Sequence, residues 1–245
     1  MDKQARNYAV KHDAVVEAAR TERQEVLARN RTLLTLELEF ERAARGVESH
    51  CHCNALVAMA GDGTDSLNQR ETREMQRCEK LRAGALSDPT VKFMLEHLQK
   101  AGCVMPEEAI RCMRCDERVF GGYQGDGSIV MAANHIATQG IANATLVHEM
   151  VHAFDECRAY MDWNSCKQHA CSEVRAAALS GDCNWGKEIQ RGNFNFANQF
   201  PRCIRRRAEL SVAMNPNCGP VLAKEAVADV FEVCYNDTMP FDRIP

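Results

Sequence analysis

The stretch ATLVHEMVHAFDEC, residues 144–157, constrains this chain more than any other. Its apolar residues (Leu146, Val147, Met150, Val151, Ala153 and Phe154) suit a helix buried through the centre of a domain. The same run carries His148, Glu149 and His152. A polar group buried without a partner costs about 1–3 kcal/mol. These three side chains therefore need partners.

Residues four apart on a helix project from one face, so His148 and His152 can present imidazole nitrogens to a single metal ion. Glu149 is rotated off that face. It can reach a water on the ion rather than the ion itself. This is the H-E-x-x-H arrangement, two neutral imidazole ligands plus a carboxylate that serves as general base. Zinc suits it, because Zn2+ accepts tetrahedral N/O ligation and lowers the pKa of bound water. The expected roles are His148 and His152 as metal ligands and Glu149 as the catalytic residue.

Catalytic zinc normally takes three protein ligands. Asp155 shares the histidine face, but seven residues past His148 it lies about 10 Å further along the axis. It is better placed to accept a hydrogen bond from a ligand imidazole or to fix the next helix. That next segment, HACSEVRAAALSGDC, offers His169 and Glu173. Glu173 is preferred as third ligand, because the small residues Ala176 to Ala178 after it allow two helices to approach closely. His169 is the alternative, unless it is simply an exposed residue at a helix start.

Residues 1–45 lack Gly and Pro and read as one long or two shorter helices. CHC and AGDGTD then mark a boundary near residues 46–66. This predicts a helical extension with a cysteine- and glycine-rich linker over 1–65, and a zincin-like metallopeptidase domain over 66–245. Further helices are expected over 67–84 and from SDPT (87–90, Ser87 as cap) to about Lys100, closed by Gly102. Others are expected from Asn143 as cap, from Cys166 to Ser180, from Pro201, and from Pro220 to Tyr235. ERVFGGYQGDGSIVMAA, 117–133, reads as a hairpin around QGDG. The fold class is α+β, mostly helical, with a small sheet beside the metal-binding helix. The strand Ser128–Ala133 either holds an extended peptide by main-chain pairing at a sheet edge or merely covers the core.

Charge narrows the partners. A net charge of -4 and a pI of about 6.1 argue against a broad nucleic-acid binder. No run approaches the roughly 18–20 apolar residues of a membrane span. Early acids (Asp2, Asp13, Glu17, Glu22, Glu25) do not suit a cleavable targeting segment. Thirteen cysteines are many for this length, and odd in number. Cys112-x-x-Cys115 has zinc-ribbon spacing, but Cys51-x-Cys53 is a poor second pair. Cys78, Cys157, Cys166, Cys171, Cys183, Cys203, Cys218 and Cys234, spread over several expected helices, look like staples in an oxidising compartment. Free buried thiols are the other reading.

The blocks HEMVHAFDECR, HACSEVRAAALSGDC, RRRAELSV with the NPNC after it, and YNDTMPFDRIP occur in order. Together they resemble the mitochondrial inner membrane ATP synthase processing and assembly metallopeptidases, a family also labelled Ku-binding in plants and animals. The resemblance runs from about Asp88 to Pro245. It implies a zinc endopeptidase with His148, Glu149 and His152 in the motif. It also implies peripheral attachment to the inner membrane on the intermembrane-space side and cysteines oxidised on import. The implied substrate is the precursor of ATP synthase subunit a, and the implied second role is help in assembling the membrane sector of that enzyme. Ala132 stands where the family pattern has a cysteine, and the first 65 residues lie outside the resemblance. The alternatives are a non-proteolytic assembly chaperone with a structural metal site, and a nuclear Ku-binding DNA-repair adaptor. Glu149 favours the enzyme, since a structural site needs no general base. The acidic charge, the cysteines and the lack of a basic cluster beyond RRR at 205–207 disfavour the adaptor.

Overall fold

The computed structural model describes residues 64–116, 119–184, 186 and 199–245. The expected helices before residue 46 and the CHC segment lie outside the described residues. Helix α1 (Thr64–Leu86) leads into α2 (Pro89–Lys100). Asp88, not Ser87, caps α2: its Oδ1 accepts the N–H groups of Thr90 and Val91 at 2.8 and 3.3 Å. A carboxylate there also suits the positive end of the helix dipole. The Ser87 hydroxyl instead turns back to the carbonyl of Ala83. Gly102, at φ 93°, follows the end of α2 in a conformation that side chains resist.

Three strands follow, β1 (Ile110–Met113), β2 (Gly121–Tyr123) and β3 (Ile129–Ala132). The expected hairpin is present as the antiparallel pair β2–β3, with Gly127 at φ 86° in its turn. Strand β1 was not legible in the sequence, since its four residues overlap Cys112-x-x-Cys115 and carry no long alternating pattern. It pairs parallel to β3, so the sheet order is β1–β3–β2. This overturns one expectation. Strand β3 is central and wholly buried, and its main chain is already paired on both sides, so it cannot offer an edge to a peptide. The outer strands are β1 and β2.

Helix α3 (Gln139–Arg158) starts before Asn143, with Thr138 as cap; its Oγ1 accepts the Ile141 N–H at 3.4 Å. Asn143 sits one turn in and donates its amide to Asp88 Oδ2 at 2.7 Å, tying α3 to the start of α2. Helix α4 (Cys166–Leu179) ends at Ser180, and Gly181 follows at φ 68°. Helices α5 (Gln199–Met214) and α6 (Gly219–Asn236) complete the described elements, α5 starting two residues before Pro201. Helix α4 packs against α3, α5 and α6. The buried Ala170, Ala176, Ala177 and Ala178 keep that helix slim enough for neighbours to pack on several sides.

Among the described residues, five disulfides staple this core. Cys78–Cys112 joins α1 to β1, and Cys103–Cys157 joins the segment after α2 to α3. Cys166–Cys218 and Cys171–Cys234 tie α4 to the cap and body of α6, while Cys183–Cys203 anchors α5. The staple reading of the cysteines holds. The zinc-ribbon reading does not, because the sulfur of Cys112 is spent on Cys78. Among the described residues no helix is long and apolar enough to cross a membrane.

Candidate active site

Helices α3 and α4 meet at the polar residues that the apolar run left to be explained. His148 Nε2 lies 3.4 Å from Glu173 Oε2, and His152 Nε2 lies 3.5 Å from Glu173 Oε1. The ligand atoms of His148, His152 and Glu173 all lie within 4.8 Å of one another, close enough to hold one metal ion. His148 is the most exposed of the three, so the trio opens to solvent on its side.

The hydrogen bonds decide which nitrogen of each ring carries a proton. Ser172 Oγ donates to Asp155 Oδ2 at 2.9 Å, so its single proton is committed. The same oxygen, 2.8 Å from His152 Nδ1, must therefore accept the Nδ1–H. In the neutral ring that leaves the Nε2 lone pair of His152 facing a carboxylate oxygen. Two lone pairs at such a distance repel unless a cation lies between them, so the donor set suits a divalent metal. Burial alone would lower the His148 pKa, but its hydrogen bond to Glu173 and the charges of Glu173 and Glu149 raise it. Burial opposes ionisation of Glu173, yet the surrounding histidines hold its carboxyl well below the usual range.

Glu149 stands apart from the trio. Its Oε2 accepts the backbone N–H of Tyr123 on strand β2 at 2.8 Å. Burial, aided by the charge of Glu173 and opposed by His148 and the Tyr123 N–H, pushes its pKa up to about 7. Such a carboxyl takes and releases protons near neutrality. The Tyr123 phenol is pushed above its usual range by burial and by the charge and hydrogen bond of Glu156. Trp163 sets its ring edge-on to His152 and His169, with centroids 5.7 and 5.8 Å away.

His169 is no exposed helix-start residue; it is 2% exposed. Asn215 Nδ2 donates to its Nδ1 at 3.1 Å and also to the Trp163 carbonyl. The ring proton therefore sits on Nε2, which faces Glu173 Oε1 at 3.4 Å. Ser211 Oγ donates to the same oxygen at 2.5 Å. His169 thus orients the carboxylate instead of joining the trio. Of the two roles expected of Asp155, it takes the second: it fixes the next helix and does not reach an imidazole directly. It accepts from Ser172 and from Arg175 Nε (2.9 and 3.1 Å), and from Arg158 Nε at 3.1 Å. Ser172, Arg175, Ser211 and Asn215 were not found in the sequence. The one available signal was Arg175, a cation inside an alanine-rich helix.

The profile of the Peptidase M76 family matches residues 76–242. Mitochondrial inner membrane protease atp23 of Schizosaccharomyces pombe is 37% identical over 179 residues, which cover 72% of this chain and 97% of that protein. The protein of that name from Aspergillus niger is 39% identical over 180 residues, covering 72% of this chain and 76% of its own length. Its namesake from Meyerozyma guilliermondii is 42% identical over 158 residues, or 64% and 65% of the two chains. No solved structure matches. With the matched region running from α1 through α6 and enclosing both helices of the His–His–Glu group, the chain belongs to the Peptidase M76 family and is a metallopeptidase.

Proposed function

We propose that this chain is a zinc endopeptidase in which His148, His152 and Glu173 hold the ion and Glu149 is the general base. The observation that carries it is the His152 Nε2 lone pair, left facing Glu173 by the Ser172 hydrogen bond. Glu173 is preferred over His169 as third ligand because His169 Nε2 bears a proton and its Nδ1 is taken by Asn215. Bound Zn2+ supplies Lewis-acid polarisation and a lowered pKa for water. The chain's own residues supply the rest. Tyr123 N–H holds Glu149 by Oε2, leaving Oε1 to take a proton from the attacking water and return it to the leaving amine.

The proposed setting is the inner mitochondrial membrane, peripherally, on the intermembrane-space side. The names of the relatives, disulfides suited to an oxidising compartment and the lack of a spanning helix among the described residues support it. The proposed substrate is the ATP synthase subunit a precursor, with assistance to membrane-sector assembly as a second role. Both rest on the resemblance of the sequence blocks. No nucleic-acid partner is included, and the disulfides speak against the nuclear adaptor reading.

The deciding experiment is Glu149→Gln, which keeps side-chain size and both histidines. Precursor processing should fall on the order of 10²–10⁴-fold, with zinc content unchanged and assembly support retained. Normal processing by this variant would remove Glu149 from the mechanism. Failed assembly at normal protein and zinc levels would remove the separate assembly role.

A further inference from the structure

The most elaborate hydrogen-bonded array among the described residues lies behind His152, and it reaches the segment that follows α6. Arg175 is completely buried, a costly position for a guanidinium unless its donors are all met. Its Nε goes to Asp155. Its other nitrogens go to the segment after α6: Nη1 pairs with Asp237 Oδ1 at 2.6 Å and donates to the Asp237 carbonyl, and Nη2 donates to the Met239 carbonyl. Arg158 bridges the same two acids, Asp155 and Asp237. The segment has its own anchors. Phe241 N–H donates to the Thr238 carbonyl at 2.8 Å, and the Phe241 ring stacks on Phe93 of α2 at 4.7 Å.

We propose that Arg175, Asp155 and Ser172, together with residues 237–239, form a positioning relay that fixes the tautomer of His152. Arg175 and Arg158 present only donors to Asp155, which keeps the Asp155 oxygens as acceptors. Asp155 thereby commits the Ser172 proton, and Ser172 accepts the Nδ1–H of His152. Without the relay the imidazole has a competing choice. Its proton can move to Nε2, where Glu173 Oε1 at 3.5 Å offers an acceptor. A ligand nitrogen capped in that way must lose its proton before it can bind metal. The 237–239 segment thus acts on the site at a distance, by holding the guanidinium that orients the acid that orients the serine. Supporting partners of this kind typically change metal affinity on the order of 10–100-fold.

The metal arm of the test rests on the proposed role of His152 as a ligand; the tautomer arm does not. Long-range proton–nitrogen NMR of the metal-free chain reads the tautomer directly. The unaltered chain should show His152 protonated on Nδ1 alone. Ser172→Ala should shift protons to Nε2, and competition with a chromogenic chelator should show zinc bound on the order of 10–100-fold more weakly. Asp237→Asn, remote from the ligand atoms, should change both readouts in the same direction by less. Leu98→Ala, a core truncation in α2, controls for general loosening, with a lower melting temperature and unchanged zinc affinity. An Nδ1–H tautomer retained in Ser172→Ala would overturn the relay. So would equal zinc loss in Leu98→Ala. Unaltered values for both readouts in Asp237→Asn would remove the 237–239 segment from it. If the unaltered chain shows the Nδ1–H tautomer but binds no zinc, the relay stands and the zinc reading falls.

Discussion

Glu149 Oε2 accepts the backbone N–H of Tyr123 at 2.8 Å, so the candidate base on helix α3 is held by an outer strand of the sheet. Small shifts of β2 therefore reach the chemistry. Gly121, two residues before Tyr123 on the same strand, packs closely against helix α3. A Cβ there would lie 2.7 Å from the Thr145 methyl and 2.8 Å from the Val130 carbonyl oxygen.

Gly121→Ala should consequently displace β2 and loosen the Tyr123–Glu149 bond. We expect a stability loss of about 1–3 kcal/mol, as for other overpacked sites. Peptidase kcat/KM should drop roughly tenfold, equivalent to about 1.4 kcal/mol of transition-state stabilisation, at normal zinc content. Melting temperature and kinetics measured together check this. Unaltered kcat/KM would show that β2 does not position the base.

Around Glu173, variants should separate the trio from its supports. Glu173→Gln should lose stoichiometric zinc, as should His148→Ala and His152→Ala. His169→Ala and Ser211→Ala each remove one donor to Glu173 Oε1 and should weaken zinc less. Metal analysis after gel filtration provides the measurement. Full zinc loss in His169→Ala with retention in Glu173→Gln would reverse the assignment.

The disulfides should differ in their effect on stability according to the chain they enclose. Cys171–Cys234 spans 63 residues and Cys183–Cys203 spans 20, corresponding to about 4 and 3 kcal/mol in the chain-entropy account. Paired Cys→Ala replacement should lower the denaturant midpoint more for the first bridge. Equal midpoints would show that strain or residual structure outweighs loop length.

Asp237 gives a pH signature. Partial burial would raise its pKa, but the hydrogen bond from Arg158 and the charges of Arg175 and Arg158 hold it below the usual range. A carboxyl depressed in the folded chain stabilises above its unfolded pKa of about 3.9, and that contribution fades as pH falls through the folded value. The melting-temperature gap between the unaltered chain and Asp237→Asn should therefore be full above about pH 4 and close below it. A gap that persists at the acid end would exclude an electrostatic origin.

What the sequence determined by itself was local. Helical periodicity put His148 and His152 on one face, because a 3.6-residue turn is a property of the backbone alone. Helices α2, α4 and α6 were legible within a few residues from their prolines and glycines, although Asp88 and Thr138 took the capping roles expected of Ser87 and Asn143. Cysteines spread over several helices suggested staples, but the sequence left free buried thiols open as the other reading. What only the tertiary structure decided was which distant groups meet. Strand β1 joins β3 in parallel, a pairing with no local signature, and it closes the edge that β3 was expected to offer. The partners of each cysteine depend on which helices pack together. The Arg175–Asp155–Ser172–His152 chain exists only because α3, α4 and the segment after α6 converge, and the buried charge of Arg175 finds its acceptors only there.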